Sequence, residues 1–251
     1  MTAFLRLEEV SAGYPGKPGV VRHLSLTLEA DRWTLVLGPN GAGKSTLLRL
    51  LVGWLRPEAG TVLLEGLPVE RWPARERAGR LGYLPQIPGT AFAFTVEEVV
   101  AQGRWRFGTP GPVAPYLEAL HLAPLARRPL NALSGGERQL AFLARTLAQE
   151  PAFFLLDEPT AHLDPAHKHL LWQTLARLRQ EGRGGLLVSH DPVLPCGLFH
   201  RVIGLKAGRI LWEAPGVEAL EPGHLERLFG VPLEVVRRGR FCALLPGGGG
   251  P

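Results

Sequence analysis

An apolar run at residues 33–37 leads directly into Gly38-Pro39-Asn40-Gly41-Ala42-Gly43-Lys44-Ser45-Thr46, and a helical pattern over 45–53 follows. Strand, glycine-rich loop and helix in that order leave few folds open. The spacing GxxxxGK[ST] is what a polyphosphate requires: converging backbone N–H groups, no side chains in the way, and the positive end of a helix aimed at the charge. Lys44 then supplies a point charge for the β- and γ-phosphates, and Ser45 a hydroxyl for Mg2+. In chains with this content of Gly, Lys, Ser and Thr, a chance match arises about once in 250. The loop points to a nucleoside triphosphatase of the P-loop kind, without saying which.

Periodicity fills in the rest. Residues 4–10 and 23–28 alternate apolar and polar, as half-exposed antiparallel strands do. Short apolar runs recur at 61–65, 80–84, 153–156 and 185–189, the last two reading as buried parallel strands. Runs at 202–205 and 209–213 flank Lys206-Ala207-Gly208, a hairpin signal. From Pro88 to Glu150 the texture turns helical, broken by Gly and Pro as in Gly108-Thr109-Pro110-Gly111-Pro112. The expected fold is α/β: a P-loop NTPase core of mostly parallel sheet flanked by helices, with an antiparallel β subdomain and a helical insertion. We expect a single domain over 1–251, with core segments 1–87 and 150–251 and a helical subdomain at 88–149.

Two further sites carry chemistry. The apolar strand Ala152-Phe153-Phe154-Leu155-Leu156 ends in Asp157-Glu158, and carboxylates at the end of a buried strand are poorly explained by packing. At the C-terminal edge of a parallel sheet they lie where ligands bind. Asp157 is the expected Mg2+ carboxylate opposite Ser45, and Glu158 the candidate base for an attacking water. His190 ends the run 185–189 and belongs to the same edge. Separately, Leu133-Ser134-Gly135-Gly136-Glu137-Arg138-Gln139 opens an apolar-periodic run, and Ser plus two Gly at a helix start makes a second anion nest.

With these motifs in this order, nearly the whole chain resembles the ATP-binding cassette (ABC) ATPases. Tyr14 fits their adenine-stacking aromatic and the loop 38–46 their Walker A motif. Gln86 in Gly82-Tyr83-Leu84-Pro85-Gln86 fits the Q-loop, and Ser134-Gly135-Gly136 with Glu137 the signature. Asp157 and Glu158 fit Walker B, Ala161-His162-Leu163-Asp164 the D-loop, and His190 the switch histidine. Glu137 stands where Gln is commonest, and His162 replaces the small residue often found in the D-loop. The resemblance implies ATP and Mg2+ as ligands, with Ser45, Gln86 and Asp157 toward the metal and Glu158, His190 and Gln86 toward hydrolysis. It also implies a head-to-tail homodimer whose two ATP each lie between the Walker A loop of one copy and the signature of the other. Single-cassette chains of this kind most often serve separate polytopic permeases, together with an extracytoplasmic solute-binding protein, from the inner face of the cell membrane. Thr95-Val96-Glu97-Glu98-Val99-Val100-Ala101-Gln102-Gly103-Arg104 and the closing Leu225-Glu226-Arg227-Leu228-Phe229-Gly230-Val231 resemble the importers of metal chelates, haem and cobalamin. The alternative is a soluble ABC ATPase without a permease, acting in nucleic-acid maintenance or cofactor assembly.

Composition narrows the partners. The formal charge is +5, but 24 of the 28 basic residues are Arg with no run longer than two, which reads as background and predicts no specific nucleic acid. No run of about 18 apolar residues occurs, and the N-terminus lacks a signal-peptide core, so a cytoplasmic protein is expected. Cys196 and Cys242 form no CxxC and are expected as free buried thiols. His162, His167 and His169 are expected along one Pro-started, solvated helix face and not as a metal site. The scarcity of Asn and Met fits heat adaptation or codon bias equally.

Overall fold

A computed structural model describes residues 4–86, 94–108 and 111–247. The boundary expected at 87/88, part of the 108–112 stretch and the end of the Pro246 to Pro251 tail lie outside them. The chain opens with a hairpin, β1 (Leu5–Tyr14) and β2 (Lys17–Leu28), then β3 (Trp33–Leu37) and α1 (Lys44–Leu51). β4 (Ala59–Leu64) and the short β5 (Leu67–Pro68) come next, followed by α2 (Ala74–Arg80) and β6 (Leu81–Leu84). Three helices occupy the next stretch: α3 (Val96–Gln102), α4 (Ala114–Ala119) and α5 (Gly135–Ala148). β7 (Phe153–Asp157), α6 (Pro165–Gln180), β8 (Gly184–Ser189) and β9 (Val193–Pro195) lead to the hairpin β10 (Arg201–Lys206) and β11 (Arg209–Ala214). α7 (Pro222–Phe229) and a last hairpin, β12 (Leu233–Arg238) and β13 (Phe241–Pro246), end the described chain.

The strands form three sheets, ordered β2-β1-β4-β5, β11-β10-β3-β8-β7-β6 and β12-β13-β9. Five neighbours of the central sheet, β10 through β6, run parallel, and only β11 is antiparallel. Strand alternation divides their side chains between two cores. Trp33, Leu35 and Leu37 join Phe154, Leu156 and Leu187 on the face covered by α3, α5 and α6. Val36 joins Phe153, Leu155, Leu186 and Val188 on the face shared with α1 and the antiparallel sheet. Burial on both faces is why these strands read as apolar runs without alternation. The expected α/β core, antiparallel subdomain and helical segment are all present.

The parallel register decides what meets at the sheet edge. Leu37 lies opposite Ser189, Asp157 opposite Val188, and Leu84 opposite Leu156. The loops leaving β3, β6, β7 and β8 therefore emerge side by side.

Between β6 and β7 the described residues form helices and no strand. α3 and α5 both start with a capping box, Thr95–Glu98 and Ser134–Glu137, satisfying N–H groups that a helix start leaves free. Val96, Val99, Leu117, Leu140 and Leu147 belong to the same apolar core as Phe154 and Leu187, so these helices are packed onto the sheet.

Two expectations are corrected. Cys196 and Cys242 are joined in a disulfide, with Cα atoms 5.8 Å apart. Residue spacing along the chain carried no hint of it because β13 reaches β9 through strand register. Cys242 pairs with Leu194, and the Cys196 N–H donates to Arg240 O at 2.8 Å. The bridge fastens the terminal hairpin, itself unforeseen, to the segment that follows His190. His162 does not lie on the helix of His167 and His169 but precedes it, at a positive φ of 65°. Among the described residues no His, Cys, Asp and Glu side chains group as a metal site, and no helix is long and apolar enough to cross a membrane.

Candidate functional site

A cleft of about 240 Å3 opens at the C-terminal edge of the central sheet, lined by Tyr14, Lys17, the loop 40–46, Gln86 and Glu158. Fold constraints shape this loop as much as any ligand. A Cβ on Gly38 would lie 2.3 Å from Leu205 O on the neighbouring β10, so only glycine fits where β3 enters the loop. Gly43, which caps α1, has φ of 101°, in the left-handed region open to glycine.

Lys44 is 8% exposed, and its ammonium is held on three sides. It donates to Gly38 O at 2.7 Å and Pro39 O at 3.2 Å, and lies 3.4 Å from Glu158 Oε1. Glu158 is itself buried and follows β7 at φ 49°, a conformation that costs a non-glycine residue about 1–2 kcal/mol. Its N–H donates to Val188 O at 3.0 Å, which fixes this turn against β8. Its other oxygen, Oε2, accepts from the His190 backbone N–H at 3.1 Å and faces His190 Nδ1 at 2.9 Å. Glu158 thus joins the loop lysine to His190. The loop carrying His190 is pinned in turn: Asp191 accepts from the Val193 N–H, pairs with Lys168 on α6, and its own N–H donates to Ser189 Oγ.

Asp157, one residue earlier, is 2% exposed. Its Oδ1 accepts from Ser45 Oγ at 3.1 Å and its Oδ2 from the Tyr83 hydroxyl at 3.4 Å. Burial pushes this carboxyl above the usual aspartate range, against the opposing pull of the Ser45 hydrogen bond. A buried carboxylate beside a half-buried hydroxyl offers hard oxygen donors of the kind Mg2+ takes, and Gln86 stands exposed on the rim of the same cleft. Tyr14 sits half-buried at the opposite wall. Its hydroxyl is 3.3 Å from Thr46 Oγ1 and accepts from Arg49 at 3.0 Å.

The structure therefore brings together Tyr14, the loop 38–46, Gln86, Asp157, Glu158 and His190. It does not bring Ser134, Gly135, Gly136 or Glu137 to this cleft. They form the start of α5, where a Cβ on Gly136 would come within 3.4 Å of His167 Nδ1 and His162 O. The second anion nest thus packs on residues 162–167 of its own chain. The N–H of Ser134 donates to Glu137 Oε2 at 2.8 Å, while Ser134 Oγ accepts from the Glu137 N–H at 3.2 Å. This explains the acidic variant of the signature: the carboxylate completes a capping box, and the Ser134 N–H lowers its pKa. Sequence reasoning missed Tyr83, Arg49 and the Lys168–Asp191 pair. Tyr83 stands in the same segment as Gln86, but its place beside Asp157 comes only from the pairing of β6 with β7.

Residues 21–161 match the ABC transporter family. Over 235 residues the chain is 41% identical to the hemin import ATP-binding protein HmuV of Myxococcus xanthus, covering 88% of each chain. It is 36% identical over 242 residues to the iron(3+)-hydroxamate import ATP-binding protein FhuC of Bacillus subtilis, covering 92% of this chain and 90% of the relative. Among solved structures it resembles a chain described as an inward-facing metal-chelate type ABC transporter, with 27% identity, 98% of each chain covered and a TM-score of 0.78. It also resembles a bacterial ABC transporter cassette solved as a dimer, with 25% identity, 84% of this chain and 98% of that one covered, and a TM-score of 0.73.

Proposed function

The chain belongs to the ABC transporter family as an ATP-hydrolysing subunit, and on that premise we propose that it drives import of haem or an iron chelate through a separate membrane permease. The observation that carries the chemistry is Glu158 held between Lys44 and His190 beside the Asp157–Ser45 pair. In this reading the adenine of ATP stacks on Tyr14 and the phosphates take the N–H groups of the loop 38–46. Lys44 exchanges its carbonyl partners for phosphate oxygens, a charge-assisted contact. Ser45, Asp157 and, from the rim, Gln86 would hold Mg2+, which when bound offsets negative charge on the phosphates. Glu158 accepts the proton of the water that attacks the γ-phosphate. An ionised carboxylate only accepts, so the two donors on Oε2 leave the His190 ring proton on Nδ1 and Nε2 available to the reacting groups.

The signature residues have no place in their own chain's cleft, which supports a head-to-tail dimer. Ser134, Gly135, Gly136 and Glu137 of one copy close over the ATP held by the loop 38–46 of another. A two-fold dimer then has two composite sites, and the likeness to a dimeric cassette supports this arrangement. Subunits carrying Ser134→Arg mixed with subunits carrying Lys44→Ala retain one intact composite site per heterodimer. ATP-dependent dimerisation should reappear on mixing; its absence would count against sites shared between copies.

Closure on ATP and opening after hydrolysis form a two-state switch, and the permease takes up the motion. The surface proposed to receive it is a groove of about 480 Å3 with two exposed tryptophans, Trp54 (64%) and Trp105 (69%), at its walls. Arg145 lines this groove, and among the described residues no carboxylate pairs with it. Burial lowers its pKa, so a partner's acidic side chain is the complement it lacks. The protein would then sit on the inner face of the cell membrane, with a solute-binding protein on the outer side. The haem and iron-hydroxamate relatives support the solute class. Proteoliposomes holding the chain and the permease encoded beside it should take up haem or ferric siderophore only with ATP. ATP hydrolysis without uptake of either would overturn the solute assignment.

A further inference from the structure

Beneath the metal carboxylate lies a residue the reaction above does not use. β6 runs parallel to β7 with Tyr83 opposite Leu155, two residues before Asp157. Tyr83 is 8% exposed, and its hydroxyl donates to Asp157 Oδ2 at 3.4 Å while Ser45 takes Oδ1 at 3.1 Å. From α1, the Arg49 guanidinium lies near the same hydroxyl and donates to the Tyr14 hydroxyl at 3.0 Å. Trp54 meets the Tyr83 ring edge-on, with centroids 4.9 Å apart and planes at 85°. A phenylalanine would fill the same volume, so the chemistry the tyrosine adds is one donor, aimed at a carboxylate. The terminal torsion of an aspartate is broad and two-fold. A donor on one oxygen leaves the carboxylate free to swing; donors on both oxygens set its plane. The positive charge of Arg49 near the phenol oxygen favours a phenol proton turned away from it, toward Asp157.

We propose that Tyr83 is a positioning residue for Asp157, fixing the carboxylate plane for the cation that accompanies the nucleotide, with the charge of Arg49 helping to orient the phenol. The proposal rests on reading Asp157 as the Mg2+ carboxylate. It accounts for the Tyr83–Asp157–Ser45 contacts at the metal edge of the cleft, with Arg49, bonded to Tyr14 at the adenine wall, close by. It also gives Trp54, exposed at the groove, a direct contact with the residue that orients the metal ligand.

The test follows binding of a fluorescent, non-hydrolysable ATP analogue to the full chain, first in EDTA and then as Mg2+ is titrated. Tyr83→Phe should bind the analogue in EDTA as the parent does, and its Mg2+ midpoint should rise about tenfold, the scale typical of residues that orient metal ligands. Arg49→Gln, on the exposed side of α1, should shift the midpoint the same way by a smaller factor and serves independently of how Tyr83→Phe folds. Asp157→Asn is the reference and should lose the Mg2+ response. If it keeps that response, the reading of Asp157 as the metal carboxylate fails. If it loses the response while Tyr83→Phe and Arg49→Gln keep the parent midpoint, the positioning role fails. Equal losses in EDTA and in Mg2+ would make Tyr83 a packing residue and also overturn the proposal.

Discussion

Glu158 Oε2 receives the backbone N–H of His190 at 3.1 Å and faces its ring Nδ1 at 2.9 Å, so the candidate base and His190 form one unit. Removing the ring leaves the base with only the backbone donor on that oxygen. His190→Ala should keep ATP affinity and lower single-turnover hydrolysis by about 10²-fold or more. Parallel binding and single-turnover assays check it, and a parent-like rate would separate His190 from the chemistry.

Glu137 provides a test by pH. Its pKa is depressed by the Ser134 N–H, below the ordinary 4.5. A depressed carboxyl contributes stability that is fully present above its unfolded value and is lost as pH falls through the lower folded value. Glu137→Gln keeps an acceptor for Ser134 but has no charge to lose. Between about pH 6 and about pH 3, the parent's Tm should therefore fall further than the variant's. Identical acid profiles would remove Glu137 from the cap.

Arg145 separates coupling from catalysis. It lines the groove between Trp54 and Trp105, and lies over the Phe142 ring at 5.0 Å. Arg145→Glu should retain the basal ATPase of the isolated subunit and lose the stimulation given by the permease, because like charges now meet at the interface. ATPase assays with and without permease in nanodiscs read both quantities. Full stimulation of the variant would move the docking surface elsewhere.

The Cys196–Cys242 bridge closes a loop of 46 residues. By chain entropy alone such a cross-link stabilises by about 4 kcal/mol, equivalent to a Tm loss of about 10 °C on reduction in a chain of this size. Calorimetry with and without a dithiol reductant measures it, and Cys242→Ser should show the reduced Tm under both conditions. The bridge ties the terminal hairpin to β9, directly after the His190 loop.

Local patterns made most of the site legible in the sequence. The phosphate loop, Asp157-Glu158, Gln86 and His190 each end an apolar strand, and parallel strands deliver their ends to one edge, so four separate motifs imply one cleft. What stayed hidden depends on register between strands distant in sequence. Cys242 reaches Cys196 only because β13 pairs with β9, and Tyr83 reaches Asp157 only because β6 lies beside β7. The role of Glu137 was obscured differently: compared with a family pattern it read as a departure, and only the cap geometry shows what its carboxylate does.

The central claim, that Glu158 is the hydrolytic base in a site that binds ATP between two copies, is tested most directly by Glu158→Gln. The amide preserves shape and an acceptor for the His190 N–H but takes up no proton. With MgATP the variant should elute as a dimer retaining two unhydrolysed ATP, with turnover nearly abolished. Hydrolysis at the parent rate, or a monomer that holds ATP without dimerising, would contradict the account.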